Sequence, residues 1–149
     1  MNRRPKPPPH AVAVEIEVPF HDVDGLQIVW HGNYCKYLEL GRTALLRARK
    51  RDAFDLLPLQ YRFLVTETHI RHLRPLRCAD RARVTSWFME TESRIRVACE
   101  TRDIGSGRVC AEGEAVLVTV SDSGELRLAT PRDILRRLMA PGPGSAAEG

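Results

Sequence analysis

Only one segment of this 149-residue chain sustains a helical period, and the rest is built largely of alternating runs. Tyr34, Tyr37, Leu38, Gly41, Leu45 and Ala48 follow the i, i+3, i+4, i+7 spacing of one helix face, while Lys36, Glu39, Thr43 and Arg47 line another. Asn33 stands where an N-cap belongs. Arg47, Arg49, Lys50 and Arg51 gather at the far end, where positive charge meets the negative pole of the helix. Gly41 costs the helix interior up to about 1 kcal/mol relative to alanine, which predicts close approach of a strand or a neighbouring chain.

Around that helix the period is two. Val12, Val14, Ile16 and Val18 alternate with Ala13, Glu15 and Glu17, the mark of a half-buried strand over 11–20. Residues 52–63, with Pro58, suggest an irregular connection holding one short helical turn. Four strands are predicted next, at 64–73, 81–89, 94–102 and 109–120. The glycines of Asp103-Ile104-Gly105-Ser106-Gly107 suit a hairpin, and Ser121-Asp122-Ser123-Gly124 forms a second turn. Thr130, Pro131 and Asp133 then supply an N-cap, a proline at the first helical position and a first-turn acid for a short helix ending near Ala140. One strand, one long helix and four antiparallel strands make an α+β pattern in which a sheet of about five strands wraps one central helix. A single helix cannot cover both faces of that sheet, so pairing with further copies, as a homodimer or homotetramer, is expected.

The length suits one domain, placed at residues 10–140. Residues 1–9 combine Arg3, Arg4 and Lys6 with four prolines and are expected to be a disordered basic arm, with 141–149 a disordered tail. The formal charge is +4, but without Arg3, Arg4, Lys6 and Glu148 the chain has 20 basic and 18 acidic residues. That mild balance speaks against a nucleic-acid partner. No apolar run approaches the roughly 20 residues that span a bilayer, and prolines occupy the place of a signal peptide's apolar stretch, so a cytoplasmic protein is expected. Cys35, Cys78, Cys99 and Cys110 include no C-x-x-C pair, and they are expected to act as small buried apolar residues.

The chemistry concentrates between the first strand and the helix, in Phe20-His21-Asp22-Val23-Asp24 and Ile28-Val29-Trp30-His31-Gly32-Asn33-Tyr34. A loop carboxylate beside a helix N-terminus can pair a base with a site that favours developing negative charge. Spacing alone leaves Asp24 equally suited to capping a turn. Together with Glu39-Leu40-Gly41-Arg42, Arg74-Pro75-Leu76 and Asp80, these segments resemble the hotdog-fold acyl-CoA thioesterases of the 4-hydroxybenzoyl-CoA thioesterase type, over about residues 12–120. The resemblance implies a sheet wrapped around the helix, dimerisation through the sheets, and an active site near the dimer interface. It implies that Asp24 is the catalytic carboxylate, that His31 fills an aromatic or histidine position at the helix start, and that Asn33 and Tyr34 open the helix. Gln27 departs from the pattern, standing where the family usually has glycine, while this chain has Gly25.

Thioester hydrolysis asks for a nucleophile or a base for water and for donors to the carbonyl oxygen; it asks for no cofactor and no metal. Asp24 would supply the first, with His31 donating a hydrogen bond or orienting it. N–H groups of Gly32, Asn33 and Tyr34 would supply the second. Asp22 suits an Asx-turn. Glu39 is a second candidate because another branch of hotdog thioesterases uses a helix glutamate, although Glu39 and Arg42 also fit an i, i+3 ion pair. His69 and His72 fall on opposite faces of a strand, which argues against a shared metal. Arg71, Arg74, Arg77, Arg81 and Arg83 fit either a solvated face or attraction of coenzyme A phosphates or an acidic acyl carrier protein. The expected substrate is therefore an acyl or aroyl thioester of either carrier. A hotdog hydroxyacyl-thioester dehydratase and a non-catalytic acyl-thioester-binding module are the alternatives.

Overall fold

Alternation makes the first strand, β1 (Val12–Glu17), and the helical stripe makes α1 (Tyr34–Ala48), with Tyr34, Tyr37, Leu38, Gly41, Leu45 and Leu46 buried. A computed structural model describes residues 6–138; residues 1–5 of the predicted arm and the whole of the predicted tail, 141–149, lie outside the described residues. After α1 come a one-turn helix α2 (Ala53–Leu56), β2 (Tyr61–His72), β3 (Arg81–Glu90), β4 (Ile95–Asp103), β5 (Val109–Ser121), a two-residue β6 (Leu126–Arg127) and α3 (Arg132–Leu138). The strands form one antiparallel sheet in the order β1-β3-β4-β5-β2, with β6 added beside the end of β5. This is the expected sheet around one central helix, with β6 as a short sixth strand that the turn residues hid. Among the described residues no helix is long and apolar enough to cross a membrane.

The core follows the helix in two halves. Tyr34, Tyr37 and Leu38 meet Val84, Cys99 and Ala111; Leu45 and Leu46 meet Phe88, Ile95, Val97 and Leu117, closed by Ile134 and Leu138 of α3. α1 packs chiefly on β3 and β1 and only sparsely on β2. That lean leaves a space between α1 and the edge strand β2, whose residues are mostly exposed.

Local details differ from the predictions. Asn33 lies in a 3-10 turn (His31–Asn33), and its side chain donates to the carbonyl of Asp22 at 2.8 Å instead of capping α1. Asp52 caps α2 in a reciprocal box with Asp55. Thr130 donates to the Thr91 carbonyl at 2.5 Å, tying the lead into α3 to the β3–β4 turn. Arg49 donates to the carbonyl of Leu138 at the end of α3, and Arg51 to those of Asp133 and Ile134 near its start. Pro8 already joins a turn, its carbonyl accepting from Ala11 at 3.0 Å. Cys99 and Cys110 are buried as expected, but Cys35 and Cys78 are exposed. Cys35 falls off the apolar stripe of α1, and Cys78 sits in the turn between β2 and β3.

Candidate functional site

A bridge between Val23 and Val29 closes the loop after β1 into a small hairpin. At its tip the N–H of Gln27 bonds the carbonyl of Asp24 at 2.9 Å, and the N–H of Asp24 bonds the carbonyl of Ile28 at 3.0 Å. This pair of bonds requires a left-handed residue at the fourth position of the turn, and Gln27 takes it, with φ of 63°. Gly25 does not, so the left-handed position of this turn is held by Gln27 and not by a glycine. Asp24 is half-buried, and one carboxylate oxygen accepts the N–H of Leu26 at 2.8 Å. The Asx-turn expected at Asp22 therefore forms at Asp24.

Asp22 is held differently. Only 2% exposed, it accepts from the Lys36 ammonium at 2.5 Å and the Tyr37 hydroxyl at 2.6 Å, both one side of α1. Burial alone would raise its pKa, but the hydrogen bonds from Lys36 and Tyr37 outweigh it and hold the carboxyl below its usual range. Tyr37 is pushed strongly upward, first by burial and then by that same carboxylate. The backbone carbonyl of Asp22 completes the clamp, accepting from Trp30 N–H and the Asn33 side chain. The sequence placed Lys36 and Tyr37 only on the two faces of the helix, because nothing in spacings of 14 and 15 residues marks them as partners of Asp22.

The helix entry follows. The N–H groups of Asn33 and Tyr34 are used by the 3-10 turn, bonding the carbonyls of Trp30 and His31. Among the described residues those of His31 and Gly32 have no acceptor, so of the three predicted donors Gly32 stays available and the main chain of His31 joins it. Gly32 must lack a side chain, since a Cβ would lie 2.2 Å from the indole of Trp30. The His31 ring is exposed, 5.1 Å from the Trp30 ring and 6.2 Å from that of His72, which stands edge-on over buried Tyr34 at 4.9 Å. His31, Tyr34, His72, Arg74, Ile28 and Pro75 line a cleft of about 270 Å³ at this end of the space between α1 and β2. Asp24 is not part of that lining.

A family model described as the thioesterase-like superfamily matches residues 18–138. The chain belongs to that superfamily. YneP of Bacillus subtilis (strain 168), provisionally named an acyl-CoA thioesterase, is 32% identical over 79 residues, 53% of this chain and 57% of that protein. This chain thus matches little more than half the length of that curated relative. Among solved structures, Slr0204 of Synechocystis, a 1,4-dihydroxy-2-naphthoyl-CoA thioesterase, superposes with a TM-score of 0.76 at 14% identity, covering 86% of this chain and 94% of that one. SAV2348 of Staphylococcus aureus, solved in complex with CoA, gives 0.78 at 14% identity, covering 86% and 81%. Likenesses at these identities establish the hotdog fold.

Within this thioesterase-like chain the other predicted residues separate. Arg81 and Arg83 are on β3, paired with Glu15 of β1 at 3.4 and 3.0 Å. Arg71 lies on β2, separated from β3 by two strands. Arg77 is exposed in the turn before β3, and only Arg74 reaches the cleft with His31. Glu39 is largely exposed, 4.0 Å from Arg42 and remote in the lining from the loop. His69 and His72 do face opposite ways, opposite Glu114 and Ala111 of β5. His72, on the inner face, is the site residue that the metal question alone had brought into view.

Proposed function

We propose that this protein hydrolyses an acyl or aroyl thioester of coenzyme A or acyl carrier protein, with Asp24 as the essential carboxylate. The observation that carries the reading is Asp24 itself: a half-buried carboxylate fixed by turn hydrogen bonds, with its second oxygen unbonded among the described residues. The closed loop that carries it leads through Trp30 directly into the 3-10 turn where the N–H groups of His31 and Gly32 are unbonded among the described residues. Membership of the thioesterase-like superfamily and the likeness to a CoA-bound structure support it.

In the general-base form, Asp24 takes a proton from water as the water oxygen adds to the thioester carbonyl. The carbonyl electron pair moves to oxygen, and the His31 and Gly32 N–H groups receive that charge. Collapse breaks the carbon–sulfur bond, the proton passes to the thiolate, and free acid and thiol leave. In the nucleophilic form an Asp24 oxygen adds to the carbonyl and the carbon–sulfur bond breaks to expel thiolate; water then cleaves the mixed anhydride to free acid and the Asp24 carboxylate, its proton passing to the thiolate. His31 orients the carboxylate or donates to the thioester, and Arg74 draws carrier phosphate. The resemblance to the 4-hydroxybenzoyl-CoA type places aroyl thioesters beside acyl ones in the substrate range. The same proposal includes self-association, a dimer or a tetramer, through the exposed edge of β2.

A panel of acyl and aroyl thioesters on both carriers, followed by thiol release, tests this. Asp24→Asn is expected to lower kcat/KM by about 10²- to 10⁴-fold. Undiminished thiol release by that variant sinks the assignment.

A further inference from the structure

The polar face of α1 is not absorbed by this reading. Glu39, Arg42, Thr43, Leu46 and Arg47 follow i, i+3, i+4, i+7, i+8, and together they form one wall of a second cavity, about 270 Å³, closed by α2 and β2. Leu56, Phe63 and Leu117 give it an apolar floor. Its charges are unequally committed. Arg47 is paired with Asp52 at 3.1 Å, and Arg62 donates to the Asp122 carbonyl. Arg42 is different: its side chain is 16% exposed, and its partner is Glu39 in the expected i, i+3 ion pair, at 4.0 Å too long for a hydrogen bond. A guanidinium carries five N–H donors in a planar fork that fits a carboxylate. Held only by that long contact to an exposed glutamate, its N–H donors are left open to an anion in the cavity.

We propose that this cavity binds an amphipathic carboxylate, its anionic head on Arg42 and its apolar body on Phe63 and Leu117. The lining favours an anion over a cation, with three arginines against Glu39 and Asp52, of which Asp52 is already engaged and Glu39 faces solvent. The volume suits a small ligand, at the low end of common binding pockets. Such a carboxylate has two sources: a free acid, or the far end of an acyl group. The site stands on its own geometry, whether or not Asp24 catalyses hydrolysis.

Calorimetric titration with octanoate and benzoate, against octanol and benzyl alcohol as uncharged controls, tests it directly. The acids are expected to bind at least tenfold more tightly than the alcohols. Arg42→Gln is expected to erase that preference, and Thr43→Phe, which fills the cavity from the same helix face, to weaken all four ligands. Equal binding of acid and alcohol, no binding of either acid, or a preference that survives Arg42→Gln overturns the proposal. The Asp24→Asn protein is titrated in parallel, where octanoate binding is expected to persist, so failure of the hydrolysis reading and failure of this site are distinguishable. A second arm rests on that reading and separates the sources. If Arg42→Gln raises KM for adipoyl-CoA but not hexanoyl-CoA, the anion is the far end of an acyl group; if both KM values hold while octanoate binding is lost, it is a free acid.

Discussion

Asp22 and Asp24 stand two residues apart and are set to different tasks by what surrounds them. Asp22 is enclosed and satisfied by Lys36 and Tyr37, which anchors the loop to α1; Asp24 keeps an oxygen unbonded. Because the folded pKa of Asp22 is depressed, its stabilisation is fully present above the ordinary aspartate value of about 3.9 and is lost as pH falls through that value toward the folded one. Asp22→Asn is therefore expected to lose about 2 kcal/mol at neutral pH. The difference from the parent should close below about pH 4, as read by urea unfolding between pH 7 and 3. His10, whose pKa burial and Arg49 push down, adds a loss below about 6.5 to both proteins and cancels in the difference. Parallel stability curves for the two proteins over that range would contradict the assignment. The aspartates themselves were legible in the sequence, but their division was not, since it depends on Lys36 and Tyr37 arriving from the next element. Gln27 was legible only as a departure; the turn geometry shows that a glutamine takes the left-handed conformation here.

At the scale of elements, α1 can lie as close to the sheet as it does because Gly41 has no side chain. A Cβ there would stand 2.6 Å from both the Ser86 Oγ and the Val84 Cγ1, atoms of β3. Gly41→Ala gains up to about 1 kcal/mol of helix propensity and loses about 1–3 kcal/mol to overpacking. The expected net is a destabilisation of about 1–2 kcal/mol, measured as a lowered urea midpoint with unchanged slope. A midpoint at or above the parent's would mean that the helix can move off β3 freely. The strand and helix periods made these elements readable, and Gly41 announced a close approach without naming the neighbour. Gly113 performs the same service from the sheet side, where a Cβ would meet Leu38 at 2.4 Å, and a glycine inside an alternating strand was its signal. The two-residue β6 had no such period to show.

For the whole molecule the unsettled surface is β2. Twelve residues long, it closes one edge of the sheet with Leu64 and Val65 nearly half exposed, whereas the opposite edge, β1, is six residues with Glu15 and Glu17 on its outer face. A long edge with open main-chain groups and two exposed apolar side chains is a template for another strand, and a two-fold pairing satisfies it with a second copy. Such a pairing runs the two β2 strands antiparallel, so the His72 end of one protomer lies beside the Tyr61 end of its partner. The cleft holding His31 and Arg74 then adjoins the partner's Arg42 cavity, which links self-association to the proposed chemistry. Light scattering on the purified chain is expected to give two or four times 16.8 kDa, and Leu64→Lys with Val65→Lys to give the single mass. Hydrolysis should fall with it, because each half-site would face water in place of the other protomer. A parent that already runs at the single mass, or a doubly substituted protein that keeps the larger one, rules out the β2 edge as the interface.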